Sequence, residues 1–578
     1  MKRALFLVAV MLSSAAAFGA EQTHRYVVAM QTQRGAGGAR TINGVDLPGR
    51  TVEELRNLDA YIADLTDSEV AQLRKDPSVK YVEKQIRFDA FGLAATHAPT
   101  AELHPLDAQV TPYGISMVHA PDVWSVEKGD GINVAVVDTG VDYTHPELKD
   151  AYKGGFNAIT KSNDPKDDNE HGTHVSGTIA AADNNLGVVG VAPKANLWAV
   201  KVLNANGSGS NTTIASGINW VISKKAEVGG NWIINMSLGQ CTDVSVDAEN
   251  CSATPSISVR DACQHAADAG ILIFAAAGNE STASHAATVA YPAAFSSVTA
   301  VAAIDSNQAV AVFSDQGPEI AVSAPGVNVF STVPVGNGAY SEVKSAAKSD
   351  EAFAVIGSAK GTLNGKYVYC GLGATAGDFP ASVKGNIALI QRGTATFNVK
   401  TKNALAAGAT AVVIYNCSIA ATPTTCTNTA LGWTLIGKLA DNVTDNPADL
   451  AFGWPVTVGI SYDDGEALRK AAADSQISVT NIADDYDTLS GTSMACPHAV
   501  GVAALVWGAD PTASATDVKN AMYNTAKDLG TSGRDSVFGF GLLDAYSAAK
   551  ALAPAKFGTN VTPPATSVPG RRILRRGR

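Results

Sequence analysis

Four side chains, far apart in the chain, are of the kinds that together can break an acyl bond: Asp138, His171, Asn279 and Ser493. Asp138 closes the run Val136-Val137-Asp138-Thr139-Gly140, and His171 opens His171-Gly172-Thr173-His174 after the acidic stretch Asp164 to Glu170. Asn279 follows Ala275-Ala276-Ala277-Gly278, and Ser493 stands in Gly491-Thr492-Ser493-Met494-Ala495-Cys496-Pro497-His498. A serine hydroxyl is a weak nucleophile at neutral pH and needs a base. Imidazole can take its proton and return it to a leaving amine, while a carboxylate fixes the imidazole tautomer. A side-chain amide can donate to the oxyanion of a tetrahedral intermediate. Each residue also has a plainer reading. Ser493 suits a helix cap, and Asp138 and Asn279 suit turns. His171 and His174, three apart, could bind a metal with Asp138. Gly172 beside His171 suits close approach of another backbone or a substrate.

The elements that would carry these residues alternate. Ile132 to Val137 is a near-continuous apolar strand, as in a sheet buried on both faces. A helix is predicted from His171 to Ala181, a strand from Leu197 to Leu203 and a helix from Thr212 to Ala226. Strands at Trp232–Met236, Ile271–Ala276, Val298–Ala303 and Ile320–Ser323, with a helix at Ser256–Ala269, continue the beat. It stops near Val335 and resumes near Ser490, where Ala499 to Trp507 reads as a buried helix. Helices at Asp517–Lys527 and Leu542–Leu552 follow. This is the pattern of a doubly wound, mostly parallel α/β sheet, whose sites form at the carboxyl ends of the strands. The interruption contains a strand at Lys384–Gly393, a helix at Phe397–Ala407 and a strand at Ala411–Asn416, as expected of an inserted domain. Ahead of the sheet, Arg25–Met30, Ala60–Leu65 and Val79–Glu83 read as strands, with a capping box at Thr66-Asp67-Ser68-Glu69 opening a helix through Arg74. The stretch Gln31 to Arg50 reads as polar and Gly/Arg-rich, and Gly92 to Leu106 as a linker.

A chain of 578 residues exceeds one ordinary core. A net charge of -11 argues against nucleic acid as the main partner. Met1-Lys2-Arg3, the apolar Ala4 to Leu12 and the small residues Ala15 to Ala20 form a secretory signal, and no longer apolar run predicts a membrane span. Export permits disulfides. Cys241 with Cys251, and Cys417 with Cys426, are the plausible pairs, connectivity remaining open, and Cys496 reads as a buried free thiol. Cysteine spacing offers no zinc pattern.

Three motifs in this order resemble the subtilisin-like serine peptidases: Val136-Val137-Asp138-Thr139-Gly140-Val141, His171-Gly172-Thr173-His174-Val175-Ser176-Gly177-Thr178 and Gly491 through His498. The resemblance implies a secreted, extracellular bacterial serine endopeptidase acting on proteins or peptides, with Asp138, His171 and Ser493 as triad and Asn279 as oxyanion donor. It implies that Ser237, Leu238 and Gly239 pair with the substrate backbone, that Ala276, Gly278 and Ala290 line an apolar pocket, and that Glu280 stands at its lip. It further implies a structural calcium held by Gln109, Glu147 and the loop residues Ala182, Asn184, Leu186 and Val188, with no organic cofactor. Oxygen ligands of these kinds suit calcium. Glu147 stands where many relatives have aspartate.

By the same likeness the chain divides into a signal peptide (1–20), an inhibitory I9-type propeptide and linker (21–107), a split peptidase domain (108–340 and 461–553), an inserted β-rich protease-associated (PA) domain (341–460) and a disordered basic tail (554–578). The precursor is then expected to cut itself near Leu106 to Val110. Alternatives are a metal-dependent hydrolase on Asp138, His171 and His174, an esterase of the α/β-hydrolase kind, and a catalytically silent or narrowly specific processing or protein-binding homologue. The first leaves Ser493 and Asn279 unused. The second needs its acid and histidine after the serine, where only His498 follows.

Overall fold

The continuous apolar runs of the sequence become parallel strands in the computed structural model of the chain. It describes residues 21–31, 41–91, 108–417, 452–471 and 475–557, with single gaps at 246, 347, 356 and 394. The expected signal peptide, the expected linker Gly92 to Leu106 and nearly all of the expected tail lie outside the described residues. By contacts the chain forms two units, Met1–Gln85 and Ile86–Arg578.

In the first unit, strands β1 (His24–Met30), β2 (Thr51–Leu55), β3 (Ala60–Leu65) and β4 (Val79–Lys84) form an antiparallel sheet in the order β2-β3-β1-β4. Helix α1 (Asp67–Leu73) starts at the predicted capping box: Thr66 Oγ1 accepts from the Glu69 amide, and Glu69 Oε2 accepts from the Thr66 amide. The polar stretch before Arg50 is not featureless. It holds a short hairpin, Thr41–Ile42 with Val45–Asp46, turned at Asn43 and Gly44, both at positive φ.

The second unit begins with a short strand, β5 (Arg87–Ala90). Its main sheet has seven strands: β6 (Asn133–Asp138), β7 (Tyr152–Asn157), β8 (Asn196–Lys201), β10 (Trp232–Met236), β12 (Leu272–Ala276), β13 (Thr299–Ile304) and β14 (Ile320–Pro325). They lie in the order β14-β13-β12-β10-β6-β8-β7, and every pairing is parallel. The chain builds outward from β6 to one side and then crosses to the other, so a switch point lies at the carboxyl ends of β6 and β10. Side chains alternate across the sheet. Val134 and Val136 enter the core with helix α6 (Thr492–Ala509), while Val137 faces helix α3 (Asn211–Val228) at Gly217. All eighteen residues of α6 are buried, which is why its sequence is apolar all round. It is the one helix among the described residues long and apolar enough to cross a membrane, and it lies wholly inside the protein core.

Two small strands flank the sheet's open end, β9 (Ser208–Ser210) and β11 (Leu238–Gln240), and β5 lies between them. The insertion hangs on a long antiparallel stem, Gly338–Ser345 with Gln476–Asp484, within an eight-stranded sheet. The stem extends beyond the expected boundaries of 341–460 on both sides. The helix Tyr462–Lys470 packs on Ala411–Tyr415, and the strand Gln476–Asp484 pairs with Gly361–Tyr369, so both elements lie with the eight-stranded sheet rather than with the seven-stranded one. Position in sequence could not reveal that pairing. Within the insertion, Lys400 is fully buried and donates to the Leu372 and Gln391 carbonyls, and burial pushes its pKa down to about 8.

Candidate active site

Asp138 is the last residue of β6, and His171 is the first of helix α2 (His171–Ala180). The helix start is fixed from both sides. Asp167 Oδ2 accepts from the Thr173 amide and hydroxyl, and Thr139 Oγ1 accepts from the Gly172 amide. A Cβ at Gly172 would overlap the Gly140 carbonyl, so the close approach expected of this glycine is present and the contact is to backbone. His171 Nδ1 then meets Asp138 Oδ1 at 2.8 Å, with the Thr139 amide donating to the same oxygen at 2.7 Å. Burial alone would lower the His171 pKa, but the Asp138 carboxylate outweighs it and the net shift is upward. Its Nε2 has no hydrogen-bond partner, so that atom is available to a proton from elsewhere.

Ser493 is the second residue of α6, and that helix begins at Gly491 with no side-chain cap. Ser493 is therefore not a cap. Its hydroxyl donates to the Ser237 carbonyl at 3.1 Å, and the Ser237 hydroxyl donates to the Ser493 carbonyl at 3.0 Å. Asn279 lies just past β12. Its Oδ1 accepts from the Thr492 amide at 2.9 Å and hydroxyl at 2.8 Å, which ties the amide side chain to the turn carrying Ser493. The metal reading of the histidine pair fails on direction. His174 Nε2 faces the Val329 carbonyl at 3.0 Å, and burial first of all pushes its pKa down to about 3. His498 stacks back on its own helix, Nδ1 to the Met494 carbonyl at 2.8 Å, so the esterase reading loses its histidine.

Ala276 is fully buried at the end of β12, the Ala290 amide donates to the Ala277 carbonyl at 2.8 Å, and Gly278 takes φ +121°. That conformation favours glycine, and a Cβ there would also overlap two carboxyl groups, Asp315 and Glu280. Asp315 was not singled out by sequence. Its Oδ1 accepts from the amides of Glu280 and Ser281 and from the Ser281 hydroxyl, while Oδ2 is buried without a hydrogen-bond donor. Burial, then the neighbouring Glu280, pushes the Asp315 pKa up to about 8. Lys201 was also missed. At the end of β8 it donates to the carbonyls of Thr139 and Leu203 and to Asp168, pinning the turn behind Asp138. A lysine at the end of a parallel strand, with Asp168 upstream, is the only trace of it in the sequence.

Of the three residues expected to pair with the substrate backbone, Leu238 and Gly239 pair, together with Gln240, with the chain's own β5. Leu238 pairs with Ala90, Gly239 with Asp89 and Gln240 with Phe88, all antiparallel. On its other side β5 pairs with β9, and the Ala90 amide donates to the Gly207 carbonyl at 2.7 Å. Phe88 is fully buried, and Phe91 is 7% exposed with its ring against Gly239, where a Cβ would overlap it. An extended segment thus lies across the site, held by backbone pairing on both edges, with side chains sunk at the first and fourth positions back from residue 92. Recognition of this kind takes affinity from the main chain and specificity from alternate side chains.

The comparisons decide the family. The Peptidase_S8 profile, "Subtilase family", matches residues 129–362 and 384–541. The chain belongs to the subtilase family. It is 38% identical over 342 residues to "Subtilisin E" of Bacillus subtilis (strain 168), covering 58% of this chain and 81% of that protein. It is 38% identical over 330 residues to the "Thermostable alkaline protease" of Halalkalibacterium halodurans, covering 57% of this chain and 79% of that one. Among solved structures it is similar to the psychrophilic subtilisin-like protease Apa1 of the Antarctic Pseudoalteromonas sp. AS-11. There the identity is 29% and the TM-score 0.53, over 78% of this chain and all of that one. The subtilase has the expected mostly parallel α/β fold and is a serine endopeptidase.

In this subtilase the loop expected to hold calcium curls over Glu147. That carboxylate is buried, and its partners are neutral: the Tyr486 hydroxyl at 3.0 Å and the Asn184 side-chain amide at 2.9 Å. Gln109 Oε1 accepts from the Asn184 and Asn185 amides, and the Val110 amide donates to the Gly187 carbonyl. Burial pushes the Glu147 pKa up to about 7. A buried carboxylate with only neutral hydrogen-bond partners lacks a compensating charge, which a calcium ion would supply. Among the described residues no three His, Cys, Asp or Glu side chains gather as metal ligands, but this kind of site needs only one carboxylate. Cys241 and Cys251 are bonded to each other, as expected. Cys496 is a buried free thiol, and Cys417 is disulfide-bonded, while its expected partner Cys426 lies outside the described residues.

Proposed function

We propose that this serine endopeptidase is a secreted zymogen that cuts peptide bonds through an acyl-enzyme on Ser493, and that its first substrate is its own bond between Phe91 and Gly92. Ser493 Oγ attacks the carbonyl carbon, and His171 Nε2 takes the proton. Asp138 at 2.8 Å from Nδ1 holds the ring and stabilises the imidazolium. The Asn279 side-chain amide donates to the oxyanion. His171 returns the proton to the leaving amine, and water repeats the steps on the acyl-enzyme.

The observation that carries the reading is the strand Arg87–Ala90, paired with Leu238–Gln240 on one edge and Ser208–Ser210 on the other. Phe91 is sunk against Gly239, two residues from the Ser237 that bonds Ser493, and this supports a cut at the near end of the linker rather than near Leu106 to Val110. The pocket beside Ala276, Gly278 and Ala290 accordingly takes a large apolar residue. The first unit serves as inhibitory propeptide. A calcium ion would be held by Glu147, Gln109, Asn184 and the carbonyls of Ala182, Leu186 and Val188, and would supply a positive charge that stabilises the fold without entering the reaction. The insertion is PA-like and screens access to the cleft. The test is expression of wild type beside Ser493→Ala. Wild type should yield a mature chain beginning at Gly92, read by N-terminal sequencing, and Ser493→Ala should remain uncut. Equal processing of both chains would sink self-cleavage.

A further inference from the structure

Beyond Gln240 the cleft is extended by a loop that the disulfide Cys241–Cys251 closes into a ring. The ring is tied down by its neighbours. Gln240 Nε2 donates to the Ser252 and Thr254 carbonyls at 2.8 and 2.7 Å, the Cys251 amide donates to the Asp247 carbonyl at 2.8 Å, and the Ser252 amide to the Cys241 carbonyl at 3.0 Å. Within the ring the sequence carries Asp243, Asp247 and Glu249 and no lysine or arginine.

Arg87, one residue before buried Phe88, is seated on this ring by backbone and side chain. Its amide donates to the Asn250 carbonyl at 2.7 Å, and its carbonyl accepts from the Cys241 amide at 2.9 Å. Its guanidinium reaches Asp247 Oδ2 at 3.2 Å and Cys241 Sγ at 3.5 Å, while Nε bonds Asp89 of its own strand at 2.9 Å. Asp247 Oδ1 accepts from the Asn250 amide at 3.1 Å, which fixes the carboxylate toward the cleft.

We propose that the Cys241–Cys251 ring is a fifth substrate subsite, in which Asp247 selects a basic residue four positions before the residue whose carbonyl is attacked. The proposal rests on the reading that Arg87–Phe91 occupies the cleft as a substrate does. The backbone bonds to Asn250 and Cys241 accept any residue there, so the ring adds pairing for all substrates and charge selection for some. Ion pairs that keep a third of their exposure are weak, so a preference of about three- to fivefold in kcat/KM is expected.

The test uses the processed enzyme and two acetylated p-nitroanilide peptides, Arg-Phe-Ala-Ala-Phe and Gln-Phe-Ala-Ala-Phe, in which the third-position alanine removes the pair that Asp89 makes. Wild type should favour the arginyl peptide about three- to fivefold at low salt, with the ratio falling towards one near 1 M salt. Asp247→Asn should bring the ratio to about one, and Asp247→Lys should invert it. A ratio within one variant does not depend on how much of that enzyme has folded. A wild-type ratio near one at low salt, or a ratio unchanged in Asp247→Asn, overturns the subsite. Failure of wild type to release nitroaniline from either peptide instead overturns the cleft reading beneath it.

Discussion

Single residues in this site are set by partners that leave them few alternatives. Asn279 is bound through Oδ1 to Thr492, so its remaining donor group is committed to one direction. Asn279→Leu should lower kcat about 10²- to 10³-fold with KM little changed, the loss that removing such a donor causes in subtilisins; unchanged turnover would remove it from the oxyanion role. His171 must be neutral to accept a proton, and Asp138 holds its pKa above the ordinary 6.5 against the pull of burial. Peptidase activity should therefore vanish on acidification with a limb above 6.5, seen as kcat/KM against pH. The Asp315 carboxyl works in the other sense. Raised from 3.8 to about 8, it keeps its proton in the folded protein while the unfolded chain has released it. Its contribution to stability is full below 3.8 and is lost as pH rises to about 8. Asp315→Asn should remove that slope, so thermal melts should show the variant gaining on wild type between about pH 5 and pH 8. Asp138, His171, Asn279 and Ser493 stood out in the sequence because acyl transfer restricts the residue types that can carry it. Asp315 and Lys201 were not, since a turn carboxylate and a strand-end lysine acquire their roles only from what folds against them.

At the level of elements, catalytic geometry depends on how closely α2 approaches the turn after β6. Gly172→Ala would press a methyl group into the Gly140 carbonyl, and backbone cannot move aside as a side-chain tip can. The variant should lose about 1–3 kcal/mol in denaturant unfolding, with kcat reduced at least tenfold because His171 shifts from Asp138. Full activity in a folded variant would show that the approach is not critical. Of the seven strands of the parallel sheet, the edge strand β7 (Tyr152–Asn157), only partly buried and with Gly154 and Gly155 in its middle, carries no apolar run and was not legible; the other six were, to within a few residues. Their burial on both faces leaves long apolar runs such as Asn133–Asp138, and α6 is apolar throughout. Strand β5 escaped notice for the opposite reason. It has four residues, mixed polarity, and partners more than a hundred residues away in Ser208–Ser210 and Leu238–Gln240. The insertion's far boundary was hidden likewise, because Gln476–Asp484 declares its membership only by pairing with Gly338–Ser345.

For the whole molecule, a cation that binds the folded chain and not the unfolded one stabilises by mass action, about 2.7 kcal/mol at a hundred times Kd. Chelator should therefore lower Tm of the wild type by several degrees, and Glu147→Gln should blunt that response; a Tm indifferent to chelator in wild type would count against a structural ion. Under the proposed self-cleavage, the strand seated between Ser208–Ser210 and Leu238–Gln240 governs how the enzyme switches on. While Phe91 remains joined to Gly92, the blocking strand is present at an effective concentration set by the intervening chain, and no dilution removes it. Once that bond breaks, the same strand becomes a separable product whose hold depends on its own affinity. Activation should then show a lag ended by acceleration, because each enzyme that sheds its strand can digest those still bound to others.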